Sequence, residues 1–131
     1  MAAPNIVNVA TITGITTFVA GISTISITTG VSTIVTNAAS SGKVLKINSL
    51  VATAIGATTG VSVQLYNSAA QHTAAGATVS LASTMTVPMY SSLAVIDKSN
   101  SIYLEEGHQI GCTAESNAGT IDIVCSYEDI S

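Results

Sequence analysis

Two segments of this chain alternate apolar and polar side chains with a period of two residues. In residues 61–66 (VSVQLY) and 120–127 (TIDIVCSY), every second residue is apolar. Successive side chains of a β-strand point to opposite faces, so this period predicts strands with one buried face. Val124 interrupts the polar side of the second segment, which indicates a contact on the outer face of that strand.

Six further strands are predicted between segments rich in Gly, Asn, Asp and Ser, which are typical turn residues. They cover residues 31–36, 44–52, 78–86, 93–96, 102–104 and 109–114. The chain contains 18 Thr and 17 Ser together with many Ile and Val, and β-branched side chains favour the pleated surface of a sheet. The sequence therefore predicts an all-β fold, a single antiparallel β-sandwich of jelly-roll or immunoglobulin-like type.

The N-terminal part differs from the rest, because the first charged residue is Lys43. We predict that residues 1–30 are an extended uncharged arm, or edge strands, involved in assembly, and that residues 31–131 form the β-sandwich domain. A strand at residues 22–28 is one possibility, and an arm that pairs with a neighbouring subunit is the other. The candidate subunit-interface residues are apolar side chains of this segment: Ile6, Val7, Val9, Ile12, Ile15 and Phe18.

Charged residues make up 8% of the chain, compared with about 25% in an ordinary soluble domain. Three lysines, no arginine and a net charge of −4 provide no basic surface for phosphates, so we expect no nucleic-acid binding. Thr, Ser and Gly interrupt the apolar residues of the segment 11–36, so no membrane span of about 20 apolar residues is predicted. The start also lacks the basic region of a signal peptide, so we expect no secretion.

No set of residues predicts catalysis, a metal or a cofactor. His72 and His108 fall in predicted loops or turns, where an exposed histidine without a catalytic role is expected. Glu105 and Glu106 are adjacent, so they would point to opposite faces of a strand or lie solvated in a turn. Metal-ligand spacing and phosphate-binding glycine motifs do not occur. We therefore expect a protein that is not an enzyme.

The two cysteines, Cys112 and Cys125, both fall in predicted strands and are expected to be buried thiols. A tight turn at Ala118 and Gly119 would make them direct cross-strand neighbours. A turn centred one residue earlier would instead place Cys125 opposite Ile110. The sequence leaves these two pairings open.

Four segments resemble one family of proteins. They are residues 1–11 (MAAPNIVNVAT), 42–50 (GKVLKINSL), 93–106 (LAVIDKSNSIYLEE) and 124–131 (VCSYEDIS). In these segments the chain is similar to small virion structural proteins of tailed bacteriophages that infect marine cyanobacteria and related open-water bacteria. The resemblance implies a component of the virion, assembled in the host cytoplasm, and it identifies no catalytic residue.

We therefore expect a non-catalytic virion protein that forms a homo-oligomer and contacts other virion proteins, above all the major capsid protein. The leading hypothesis is a capsid decoration or cement protein that stabilises the shell through β-strand and arm contacts. One alternative is a neck, tail or fibre component that forms a ring or trimer. Another is a carbohydrate-binding host-attachment module with Tyr90 as its exposed aromatic, although the lack of Trp argues against it.

Overall fold

The computed structural model describes residues 9–22, 32–67, 78–114 and 119–131. About three quarters of these residues lie in β-strands, and within them the one helical element is a 3₁₀ turn at Lys98–Asn100, capped by Asp97. The strands are β1 (Ile12–Ile22), β2 (Ser32–Thr36), β3 (Val44–Ile55), β4 (Thr59–Asn67), β5 (Thr78–Val87), β6 (Ser92–Ile96), β7 (Ile102–Leu104), β8 (His108–Ala114) and β9 (Thr120–Ile130).

The strands form two antiparallel sheets that pack face to face. The five-stranded sheet has the order β1-β9-β3-β6, with β7 also paired to β3, and the four-stranded sheet has the order β2-β8-β4-β5. The chain crosses from one sheet to the other at most of its connections. With β7 set aside, two four-stranded sheets are wound together as a jelly roll. The predicted antiparallel β-sandwich is confirmed, and the eight predicted strands correspond to β2 through β9.

The alternating sequence pattern accounts for the core between the sheets. In β9, Ile121, Ile123 and Cys125 are fully buried, and in β4, Val61 and Val63 are fully buried. Each fully buried aliphatic side chain of this size contributes about 1.5–3 kcal/mol relative to its exposed state. The inner faces of these strands therefore hold the two sheets together.

A β-bulge at Asn48 changes which residues of β3 face the core. Leu45 and Ile47 are buried before the bulge, and Leu50 is buried after it. Because a bulge inserts one residue into the strand, the residues after Asn48 reverse their odd and even positions. Val51 therefore lies on the outer face of the five-stranded sheet.

β1 is an edge strand of the sandwich and pairs with β9 along its length. Ile22 is buried and Val19 packs against the core, so apolar side chains anchor this uncharged strand to the other sheet. The predicted boundary at residue 30 and most of the strand predicted at residues 22–28 lie outside the described residues.

Both cysteines are buried thiols, as predicted, but both pairings considered for them are wrong. Cys112 in β8 lies opposite Val63 of β4, and Cys125 in β9 lies opposite Leu50 of β3. The chain crosses the sandwich between β8 and β9, so these strands belong to different sheets. Neither Cys112 nor Ile110 is therefore a cross-strand neighbour of Cys125.

Gly119 packs against the connection between β3 and β4 at a distance that leaves no room for a side chain. A Cβ atom there would lie 2.8 Å from Thr59 Oγ1, 2.9 Å from Ile55 O and 3.0 Å from Ala57 N. We expect Gly119→Ala to lower the free energy of unfolding by about 1–3 kcal/mol in urea denaturation. The control is Gly14→Ala, since a Cβ at Gly14 meets nothing within 4 Å. Equal stability of the two variants would contradict the close packing.

Candidate functional site

The outer face of the five-stranded sheet presents a row of neighbouring apolar side chains. The register places them side by side on β1, β9, β3 and β6, and we call them the apolar row: Phe18, Val124, Val51 and Ala94. Phe18 is 73% exposed and Val124 is 47% exposed. Single exposed apolar residues are ordinary on a soluble protein, whereas contiguous ones mark a contact surface. This row is therefore a candidate binding surface.

A second row crosses the same face further along the strands. We call it the charged row, and it runs across β1, β9, β3 and β7: Gly14, Glu128, Lys46 and Tyr103. Lys46 Nζ lies 3.8 Å from Glu128 Oε2, which also accepts a 3.0 Å hydrogen bond from Asn48 Nδ2. Tyr103 is 50% exposed. The outer face therefore combines an apolar row with a flank that carries both signs of charge.

The hydrogen-bond pattern of β1 shows which residues face its open edge. Thr11 N donates to Ser131 O and Ser131 N donates to Thr11 O. Such doubly bonded pairs recur at every second residue of an antiparallel ladder, so odd-numbered residues up to Val19 bond to β9. The even-numbered residues direct their N–H and C=O groups to the other edge: Ile12, Gly14, Thr16 and Phe18. Within the described residues no strand pairs with that edge.

This open edge of β1 lacks the protection that edge strands usually have. Short length, charged side chains and proline normally prevent another strand from pairing with an edge. β1 spans 11 residues and contains neither a charged residue nor a proline. Its irregularity lies near the C-terminal end, where Gly21 N donates to Asp122 Oδ1 at 2.8 Å. The regular part of the edge can therefore accept a strand from another chain.

Three of the predicted interface residues lie in β1. Ile12 and Phe18 are exposed on the outer face of the sheet. Ile15 is half-buried on the inner face, opposite Tyr127. The structure therefore brings Ile12 and Phe18 to one surface and places Ile15 on the other side of the strand.

Of the remaining predicted interface residues, Val9 is half-buried just before β1, and Ile6 and Val7 lie outside the described residues. Sequence reasoning identified the exception at Val124 but missed its neighbours Val51 and Ala94. No local signal marks these two as outward residues, because their position depends on irregular pairing between β3, β6 and β9.

A polar cavity of about 210 Å³ opens at one end of the sandwich, and its lining includes Asn37, Lys43, Tyr127 and Asp129. Lys43 Nζ and Asp129 Oδ2 form an ion pair at 2.9 Å. Burial, together with the negative charge of Asp129, raises the pKa of the Tyr127 hydroxyl, so this group stays protonated near neutral pH. A protonated tyrosine beside a closed ion pair favours a structural role for this end of the sandwich.

The other polar residues considered from the sequence lie apart from this cavity. His72 is outside the described residues, and His108 begins β8, where its N–H donates to Glu105 O at 3.1 Å. Glu105 and Glu106 lie in the predicted turn, completed by Gly107 with a φ of 82°. Among the described residues no three His, Cys, Asp or Glu side chains come together as a metal site.

Burial raises the pKa of the Cys125 thiol from 9.0 to about 12. Since the thiolate is the reactive form, we expect no labelling of the folded protein by a disulfide reagent at about pH 8, and rapid labelling in urea. The pKa of the Cys125 thiol in the folded chain lies above its value in the unfolded chain. The stability gained by burying the neutral thiol is therefore complete below about pH 9 and is lost as the pH rises toward 12. Thermal stability should fall in that range, and less so in Cys125→Ala. Rapid labelling without urea would contradict the burial.

Comparison with protein-family models, with curated proteins and with solved structures finds no match to this chain. No helix in the described ranges is long and apolar enough to cross a membrane. The open edge of β1 and the outer face of the five-stranded sheet are the two surface features that bear on function.

Proposed function

We propose that the chain is a non-catalytic structural protein of a bacteriophage virion, and that it acts as a capsid decoration or cement protein. The observation that carries the proposal is the open edge of β1, along which Ile12, Gly14, Thr16 and Phe18 direct outward N–H and C=O groups that no described strand pairs with. A strand of the shell, in the first place one from the major capsid protein, adds to this edge by antiparallel or parallel pairing.

The lack of charge along β1 favours this mode of binding, because covering the edge removes few strongly hydrated groups from water. Each new hydrogen bond contributes about 0.5–1.5 kcal/mol net of the bonds to water that it replaces. The loss of translational and rotational freedom when two proteins bind costs at least as much free energy as these hydrogen bonds contribute. Apolar contacts beside the edge, to which exposed Ile12 contributes, are therefore part of the binding.

Two further features support a role in a particle. Jelly rolls occur in viral capsid domains, although lectins and cupins share the architecture, so the fold permits this function without selecting it. The segments that resemble small virion proteins fall largely in one sheet. Residues 42–50 cover most of β3, residues 93–106 contain β7 and most of β6, and residues 124–131 contain the second half of β9. The resemblance therefore lies on the same sheet as β1.

Quantitative mass spectrometry of purified particles tests the proposal. We expect a copy number comparable to that of the major capsid protein, as for a protein that decorates the whole shell. A copy number of about a dozen or fewer, typical of a closed ring, would instead place the chain in the neck, tail or fibre. Its absence from purified particles would overturn both positions in the virion.

Host attachment through a carbohydrate is the second candidate function, and Tyr90 is the observation that favours it. This side chain is 69% exposed, and its backbone has a φ of 60°. It lies in a turn closed by a 2.9 Å hydrogen bond from Ser91 N to Pro88 O. A bulky residue is strained in this left-handed conformation, so a functional use of the exposed ring would explain why glycine does not occupy the position.

Tyr90→Gly and Tyr90→Ala separate the strain from the ring. We expect Tyr90→Gly to raise the free energy of unfolding by about 0.5–1 kcal/mol, because glycine adopts this conformation without strain, and Tyr90→Ala to give no such gain. If the ring binds sugar, both variants lose binding to the polysaccharide of the host surface in a pull-down. Undiminished binding by both variants would exclude Tyr90 from that role.

A further inference from the structure

The outer face of the five-stranded sheet is complementary to itself in one orientation. We propose that two copies of the chain form a dimer in which these outer faces pack together about a two-fold axis parallel to the strands, between β9 and β3. This rotation places β9 over the partner's β3, and β1 over the partner's β6 and β7. The dimer uses the face of the sheet and leaves the edge of β1 open, so it goes beyond the function proposed above and does not depend on it.

The apolar row fits its own reversed copy. The rotation places Val124 over the partner's Val51, and Phe18 over the partner's Ala94. The largest side chain of the row thus meets the smallest, at both ends of the row. Side chains of two packed sheets interdigitate across a separation of about 10 Å, and this exchange of large and small residues fills that space evenly.

The charged row selects the direction of the axis. The same rotation places Lys46 over the partner's Glu128 and Glu128 over the partner's Lys46. Because the two residues are already neighbours within one chain, at 3.8 Å, the four side chains alternate in sign around the axis. Isologous contacts of this kind repeat every favourable pair twice.

The other two-fold arrangement does not match the charges. An axis along the apolar row, perpendicular to the strands, places Lys46 over the partner's Ile55 and Glu128 over the partner's Thr120. Both charges would then lose water without gaining an ionic contact across the interface, which is unfavourable. The pattern of charge therefore favours the axis parallel to the strands.

Gly14 is an independent observation that supports the same orientation. It lies in the interior of β1, and a Cβ atom there would meet nothing within 4 Å, so the packing of the chain itself does not require glycine. Glycine weakens a strand and often marks the close approach of another group. The rotation places the half-exposed ring of the partner's Tyr103 over Gly14. The missing side chain provides the space for that ring.

The size of the face sets the expected strength of the dimer. With strands about 4.8 Å apart and about 3.3 Å per residue, the paired part of the sheet covers about 20 by 27 Å, or about 500 Å² per copy. A total of about 1,000 Å² lies at the lower limit for specific interfaces. We therefore expect a dimer that dissociates on dilution, so association is measured over a series of concentrations.

Mixing two charge-reversal variants tests the pairing. Lys46→Glu and Glu128→Lys each place like charges opposite one another across the interface, so each alone should dimerise at least about tenfold more weakly than the wild type in sedimentation velocity. In an equimolar mixture, one chain carries two negative residues at these positions and the other two positive ones. The heterodimer regains both ionic contacts, and association returns to within about threefold of the wild type.

Three outcomes would overturn the dimer. They are a wild-type chain that stays monomeric up to about 1 mM, single variants that associate like the wild type, and a mixture that associates no better than its components. Repulsion within each chain is the same alone and in the mixture, so it does not affect the comparison. Circular dichroism and thermal denaturation verify that both variants are folded. No particle is involved, so failure here is distinct from failure of the virion proposal.

Gly14→Val separates the interface from the fold. A β-branched residue in open space on a strand should raise the thermal stability of the monomer. The added side chain occupies the space of the partner's Tyr103, so dimer association should fall at least about tenfold. A stabilised variant that dimerises like the wild type would show that the partner's Tyr103 does not pack on Gly14, and would overturn the proposed orientation.

Discussion

We expect Thr16→Pro to lower binding to the phage particle at least about tenfold while the sandwich stays folded. The N–H group of Thr16 points to the open edge of β1 and not to β9. Proline has no N–H, and its ring prevents a further strand from pairing at that position. No hydrogen bond among the described residues is lost, so co-sedimentation with particles should change while thermal stability stays close to that of the wild type.

Two neighbouring substitutions are the matched controls for this experiment. Thr17→Pro removes an N–H that lies in a bonded pair with Cys125 of β9, so it should destabilise the fold by about 3 kcal/mol. Thr16→Val changes the same side chain but keeps the N–H, so it should bind like the wild type. A folded Thr16→Pro variant that binds particles at full strength would show that strand addition to β1 is not the mechanism.

The strands of the core could be predicted because their pattern is local. In β9, Ile121, Ile123 and Cys125 alternate with Thr120 and Asp122, and burial follows that alternation. Val124, the apolar residue at an outward position, is exposed on the outer face, and the contact expected there stays a prediction. An apolar residue at a position where the alternation predicts a polar one is therefore informative about the outer face of the sheet.

The rows on the outer face could not be predicted, because bulges determine them. The bulge at Asn48 reverses the faces of β3, and a second irregularity between Leu50 and Val51 shifts the pairing with β6. Counting alternate residues from Leu45 would therefore place Val51 in the core. The register between strands that are far apart in the sequence depends on contacts between those strands. The alternation of residues within one strand does not reveal these contacts.

β1 could not be distinguished from an arm for a different reason. Glycine and threonine occupy many of its positions, and its anchors Val19 and Ile22 are separated by an odd number of positions, because the pairing with β9 shifts between them. β1 forms a strand because the backbone N–H and C=O groups of β9 pair with it. Tertiary pairing thus overrides a weak local pattern.

We expect Asn37→Ala to lower the free energy of unfolding by about 2–4 kcal/mol in urea denaturation. Asn37 is 2% exposed, and its Nδ2 donates to Lys43 O at 2.9 Å and to Leu104 O at 3.0 Å. Its Oδ1 accepts a 2.6 Å hydrogen bond from Ser41 Oγ. Alanine would leave two carbonyl groups and a hydroxyl without this partner at the end of the sandwich.

Ser41→Ala is the control, since it removes the hydroxyl that donates to Asn37 Oδ1 and accepts from Lys43 N but leaves both carbonyl contacts of Asn37, and it should cost about 1–2 kcal/mol. The two carbonyls belong to the residue just before β3 and to the last residue of β7, so Asn37 holds β7 against β3. That pairing places Tyr103 beside Lys46 on the outer face. Asn37→Ala should therefore weaken the dimer as well as the fold, whereas Ser41→Ala should leave the dimer unchanged. Equal stability losses in the two variants would show that the carbonyl contacts of Asn37 do not provide the stabilisation.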